Sequence, residues 1–154
     1  MRFYLQIIII VLTGLLFACA GDEKPLTPLE TLKAYTTAIK KKDTTQMKVL
    51  LSDASIKMAE QEARAQNVAL DEIVKKETLF RENQSTVEFR NEKIDGDRAT
   101  IEMKDSFQSW NTVLFIREEG IWKIDKQGIA NQMIIEFERK NKELDDIINQ
   151  DKQP

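Results

Sequence analysis

The chain has no histidine. That removes the commonest general base near neutral pH, the Ser/His and Cys/His nucleophile pairs, and most zinc sites. It has one cysteine, Cys19, so no disulfide can form within the chain and the fold must hold without one. Glycine and proline are scarce, at five and three. With 42% hydrophobic and 32% charged residues, the composition suits one globular domain with a polar surface and argues against disorder. Basic clusters are missing too. The net charge is -3, and the densest cationic run, Lys40-Lys41-Lys42, reads as the positive end of a helix. Nucleic acid is therefore not expected as a partner, because phosphate binding needs clustered cations.

No apolar run is long enough to span a bilayer, which takes about 20 residues. The longest, Phe3 to Phe17, has fifteen, interrupted by Gln6, Thr13 and Gly14. Met1-Arg2 gives it a positive start, and the small residues Ala18-Cys19-Ala20-Gly21 end it before charge appears. Those are the three parts of a secretory signal peptide. Leu16-Phe17-Ala18-Cys19 resembles the lipobox of bacterial lipoproteins. That resemblance implies cleavage between Ala18 and Cys19, a diacylglycerol on the sulfur and an acyl chain on the new amine. Two or more acyl chains suffice for stable anchoring in a lipid bilayer. Ala18-Cys19-Ala20 also fits the A-x-A pattern of ordinary signal cleavage, which would leave Gly21 first and the protein free. The lipoprotein reading is preferred, since it gives the lone cysteine a role. Ala20 after the cysteine is similar to the pattern of enteric lipoproteins sent to the outer membrane, on its periplasmic or surface face. Asp22-Glu23 starts a hydrophilic tether.

Beyond the tether, helix grammar is dense. Thr27-Pro28-Leu29-Glu30 has a capping residue, a proline for the first helical position and a glutamate to complete a capping box. Leu29, Leu32, Tyr35 or Thr36, and Ile39 follow at helical spacing. Asp43 opens a second helix carrying Met47, Leu50 and Leu51. Ser52 or Asp53 opens a third, with Ile56, Ala59 and Ala63 on one face and Asn67 as its stop. A fourth is expected from about Leu70 to Phe80.

The period then becomes two. Val87 and Phe89 alternate with Glu88 and Arg90, and Ala99, Ile101 and Met103 alternate with polar neighbours. Asp95-Gly96-Asp97 and Glu118-Glu119-Gly120 are turns. Thr112 to Ile116 is apolar on both faces, which suits a central strand, and Ile121 to Asp125 returns beside it. Helices followed by a four-stranded meander define an α+β fold.

Pro28-Leu29-Glu30-Thr31-Leu32-Lys33-Ala34-Tyr35, the Gly96 to Ile101 hairpin and Gly120-Ile121-Trp122-Lys123-Ile124-Asp125 resemble nuclear-transport-factor-2-like, cystatin-like domains. The likeness covers about residues 27 to 127 and is closest to small bacterial lipoproteins of that superfamily. It implies N-terminal helices packed on a curved antiparallel sheet of about four strands, a cone that can hold a pocket. The expected division is residues 1–18 as signal peptide, 19–26 as lipidated tether, 27–127 as the α+β domain and 128–150 as a long C-terminal helix.

In that helix Ala130, Ile134, Phe137, Asn141, Leu144 and Ile148 recur at intervals of four and three, a heptad seam. Met133, Ile135 and Ile147 widen the stripe. Packing on the domain's own sheet is the preferred reading, because fewer than three heptads is short for a freestanding coil. A homodimer through Ile134, Phe137, Asn141, Leu144 and Ile148, or an envelope-protein partner, is the rival.

By the same resemblance, chemistry or ligand binding would sit inside the cone, where Tyr35, Phe89, Trp110 and Trp122 are the candidate lining residues. A small apolar ligand would suit such a wall. Tyr35 and Trp122 read first as core aromatics. Asp105 reads as a turn residue, and Asp125 as exposed on the face opposite Trp122. Glu60, Glu62, Asp71 and Glu72 read as helix-surface acids, so neither metal nor cofactor is expected. No pair of carboxylates can be placed together for acid–base work. The expectation is a non-catalytic binding module, with an enzyme using a carboxylate or Tyr35 as the alternative.

Overall fold

The structure, a computed structural model, describes residues 24–76, 87–105 and 107–150. The signal segment, Cys19, and Leu79 and Phe80 at the end of the fourth helix lie outside the described residues. Within them the chain forms an α+β fold: helices α1 (Pro28–Lys41), α2 (Thr44–Val49), α3 (Asp53–Gln66) and α4 (Leu70–Lys76), strands β1 (Phe89–Asp95), β2 (Arg98–Lys104), β3 (Trp110–Glu118) and β4 (Ile121–Ile124), then helix α5 (Lys126–Gln150).

The expected caps form. The Thr27 hydroxyl accepts from the Glu30 N–H at 3.2 Å, and the Thr27 N–H donates to Glu30 Oε2 at 2.8 Å. Two of the helix's orphan donors are thereby satisfied. Lys42 ends α1 in the left-handed region, with φ 58. Asp43 Oδ1 caps α2 through the Gln46 N–H at 2.9 Å, Ser52 caps α3, and Asn67 closes α3 with φ 54. The fourth helix forms as expected from Leu70 as far as Lys76, and the rest of its expected span lies outside the described residues.

The sheet is a pure antiparallel meander of order β1-β2-β3-β4, so β2 and β3 are interior, as the two-faced apolarity of β3 requires. Val113 and Phe115 of β3 face the helices with Ala99, Ile101 and Met103 of β2. On the outer face Leu114 and Ile116 are half-buried. Glu119 and Gly120 both have positive φ (50 and 80), the signature of the tight turn that matches strand twist. β1 departs from simple alternation. Two residues, Asn91 and Glu92, oppose a single residue of β2, and Asn91 takes φ 54. This bulge interrupts the edge strand, and past Phe89 every β1 side chain is exposed.

One core joins α1, α2, α4 and the sheet around Leu32, Tyr35, Ile39, Met47, Phe115 and Ile124. Ala59, Ala63 and Ile73 form a smaller cluster between α3 and α4. Leu51 makes a parallel bridge to Ile124, with the Ser52 N–H donating to the Ile124 carbonyl and the Ile124 N–H to the Leu50 carbonyl, both at 2.9 Å. The helical layer is thus stitched to the end of β4, where α5 begins.

Candidate functional site: the C-terminal helix

Among the described residues the four aromatic candidates fall in different places. Tyr35 is fully buried in the core, and Trp122 is 5% exposed with the Arg117 guanidinium 4.3 Å from its ring centroid. Phe89 borders a shallow groove of about 180 Å³ with Leu29, Asn91 and Ile101. Trp122 borders a different one of about 330 Å³, with Lys24, Leu26, Ile94 and Gly120. Trp110 stands opposite Lys104 on the outer face of the sheet, with the Arg90 guanidinium 3.8 Å from its ring centroid. The alternation of β3 explains the split: Val113 and Phe115 point inward, so Trp110 cannot. Two of the four are core, and the others belong to separate surfaces.

Acidic groups do not converge either. Asp105 is a turn residue, as expected. Its Oδ1 accepts the Phe107 N–H at 2.7 Å and the Ser109 N–H at 2.9 Å, and its Oδ2 accepts Asn111 Nδ2 at 2.8 Å. Those bonds, the Ser109 amide foremost, hold its carboxyl below the usual range. Arg90 does the same to Glu102, and Lys48, then Thr44, to Asp71. A lowered carboxyl is a poor general acid at neutral pH. Among the described residues no group of three or more His, Cys, Asp or Glu is placed to hold a metal ion. No helix there is long and apolar enough to cross a membrane.

Asp125 corrects the sequence expectation. It is half-buried, not exposed, because its carboxylate caps α5: Oδ1 accepts the Gly128 N–H at 2.9 Å and the Ser52 hydroxyl at 3.4 Å. Ser55 adds to this knot. Its hydroxyl lies 2.7 Å from that of Ser52, accepts the Lys126 N–H at 2.8 Å and reaches the Ile124 carbonyl at 3.3 Å. The starts of α3 and α5 are therefore satisfied by one shared set of side chains. Gly128 leaves room for this cap, since a β-carbon there would force the Asp125 carboxylate to shift. Sequence reading missed Ser55 and Gly128; the D-x-x-G spacing after a strand was the available signal. Lys126 is buried at 7% exposure, with its ammonium 5.8 Å from the Tyr35 ring centroid.

Beyond this root α5 leaves the body. Lys126 to Ala130 are buried or half-buried, and Ile129 packs on the core. Every residue from Asn131 to Ile148 is exposed. The preferred expectation, a helix laid on the domain's own sheet, fails after the first turn. The root of α5 is set by the Asp125 cap and lies beside Leu114 on the outer face of β3. Eighteen residues at 1.5 Å each make an arm of about 27 Å. Met133, Ile134, Ile135, Phe137, Leu144, Ile147 and Ile148 are each more than half exposed along it. Such a concentration of large apolar side chains on one exposed element is the kind of surface that suits a partner. The arm holds its helicity with intrahelical ion pairs, Glu136 to Lys140 at 3.0 Å and Arg139 to Glu143.

Comparisons with protein-family models, with curated proteins and with solved structures return no match.

Proposed function

We propose that this protein is a lipid-tethered module of the bacterial envelope, resembling the nuclear-transport-factor-2-like lipoproteins, that binds protein through its C-terminal helix and does no chemistry of its own. One observation carries the binding reading: among the described residues the apolar side chains of the body form a buried core, while large exposed apolar residues gather on α5. The anchor rests on Leu16-Phe17-Ala18-Cys19 following a positive start and a short apolar run. The outer membrane is its proposed site, from the residue after the cysteine.

Both halves are testable in cells. Cys19→Ser should abolish fatty-acid labelling and move the protein out of the membrane fraction; labelling that persists refutes the anchor. Shortening the chain after Ala130 should leave the body folded and labelled but remove its cross-linkable protein neighbours. If the neighbours survive the truncation, the arm is not the binding element.

A further inference from the structure

The identity of the partner is written in the arm, on the reading that α5 is the binding element. Placing Ile134, Asn141 and Ile148 at heptad position a puts Ala130, Phe137 and Leu144 at d. Positions e then carry Asn131, Glu138 and Asp145, and positions g carry Met133, Lys140 and Ile147. Ile134 and Ile148 at a are β-branched, and with Leu144 at d they fit the preference of two parallel strands at that end of the seam. Asn141 is the sharper feature. In a parallel, in-register pair its amide meets the same amide of the other helix. In an antiparallel pair, a packs against d, and the amide would be buried against Phe137 or Leu144 without a partner.

Charge points the same way. A parallel pair sets g of one helix beside e of the next heptad on the other, so Lys140 meets Asp145 twice. An antiparallel pair sets e against e, where Glu138 and Asp145 offer only negative charge. In the single chain Lys140 reaches Glu136 at 3.0 Å, but both groups are exposed and the pair exchanges easily. Met133 and Ile147 at g flank the seam and cover its edge; Ile135, at b, lies off it.

We infer that the partner of α5 is a second copy of this chain, joined as a parallel, in-register two-stranded coil. The seam is short, so pairing is concentration-dependent and confinement on a shared surface strengthens it.

One cysteine at a time, added to the full chain carrying Cys19→Ser, tests it, so that the added thiol is the only one in the chain. Ile134→Cys and Ile148→Cys lie on exposed positions of the arm, so the body folds in both, and circular dichroism checks this. On oxidation each should link to itself, and a mixture of the two should give no product joining position 134 to 148. A 134-to-148 product instead overturns the parallel arrangement. Links only to a foreign protein overturn self-pairing and leave the binding-arm reading standing. A monomer mass across a sedimentation concentration series, with no links at all, overturns both. Lys140→Glu should raise the dissociation constant about tenfold, by turning two attractions into repulsions. Adding Asp145→Lys should restore it, and failure of that rescue counts against the parallel pair.

Discussion

The body and the arm of this protein are made from similar residues and held by different physics. In the body, Leu32, Tyr35, Ile73 and Ile124 are wholly out of water, and each is fixed by neighbours from other elements. In the arm, Ile134, Phe137 and Leu144 are equally apolar and stay in water, and helicity rests on backbone bonds and surface ion pairs. Burying one such side chain is worth about 1.5–3 kcal/mol. The body has realised that gain, and in the arm it stays unrealised in the single chain.

The widest gap between the two regions should come from matched truncations. Phe115→Ala leaves a cavity in the closed core and should cost about 3–5 kcal/mol in urea unfolding of the dilute protein. Leu144→Ala, measured in the same way, should stay within about 0.5 kcal/mol of the parent. A comparable loss from both would mean that the arm is part of the cooperative unit. The joint between the regions gives a smaller effect. Asp125→Ala removes the α5 cap and should destabilise by about 1 kcal/mol. Hydrogen exchange should speed up first at the Lys126, Gln127 and Gly128 amides. Unchanged protection there would mean that Ser55 alone secures the root.

The smallest effect lies at the body's surface. Lys48 Nζ donates to Asp71 Oδ1 at 2.6 Å and the Thr44 hydroxyl to Oδ2 at 2.9 Å, tying α2 to α4. The folded carboxyl titrates below its unfolded counterpart. Its contribution is thus complete above the unfolded value and is lost as pH falls through the folded one. Asp71→Asn should lower the urea midpoint slightly at neutral pH, with the difference closing as the solution is acidified below the usual aspartate range. A difference that stays constant with pH would remove the charge from the explanation.

The body was legible because its signals are local. Thr27 and Glu30 are three residues apart, and the alternation of Ala99, Ile101 and Met103 is visible in a short window. The pocket candidates were not, since whether Phe89 and Trp122 share a cavity depends on packing between elements distant in sequence. Asp125 was misread for a related reason. Alternation along β4 assigns it to the outer face, but the strand ends at Ile124, and past that point the helix start takes over the residue. The heptad of α5 was evident; its placement was not, because a periodic stripe does not reveal what covers it.

β4 is only four residues long, yet it separates two ends of different character. The stretch from Lys24 into the first residue of α1 lies beside Gly120 and Trp122 near its start, and the arm is rooted just past its finish. At about 3.3 Å per residue the strand sets some 13 Å between those points. If the chain is acylated as proposed, that strand separates the point where the tether enters the body from the root of the arm. A longer tether would then extend the reach of the body and leave that internal offset unchanged.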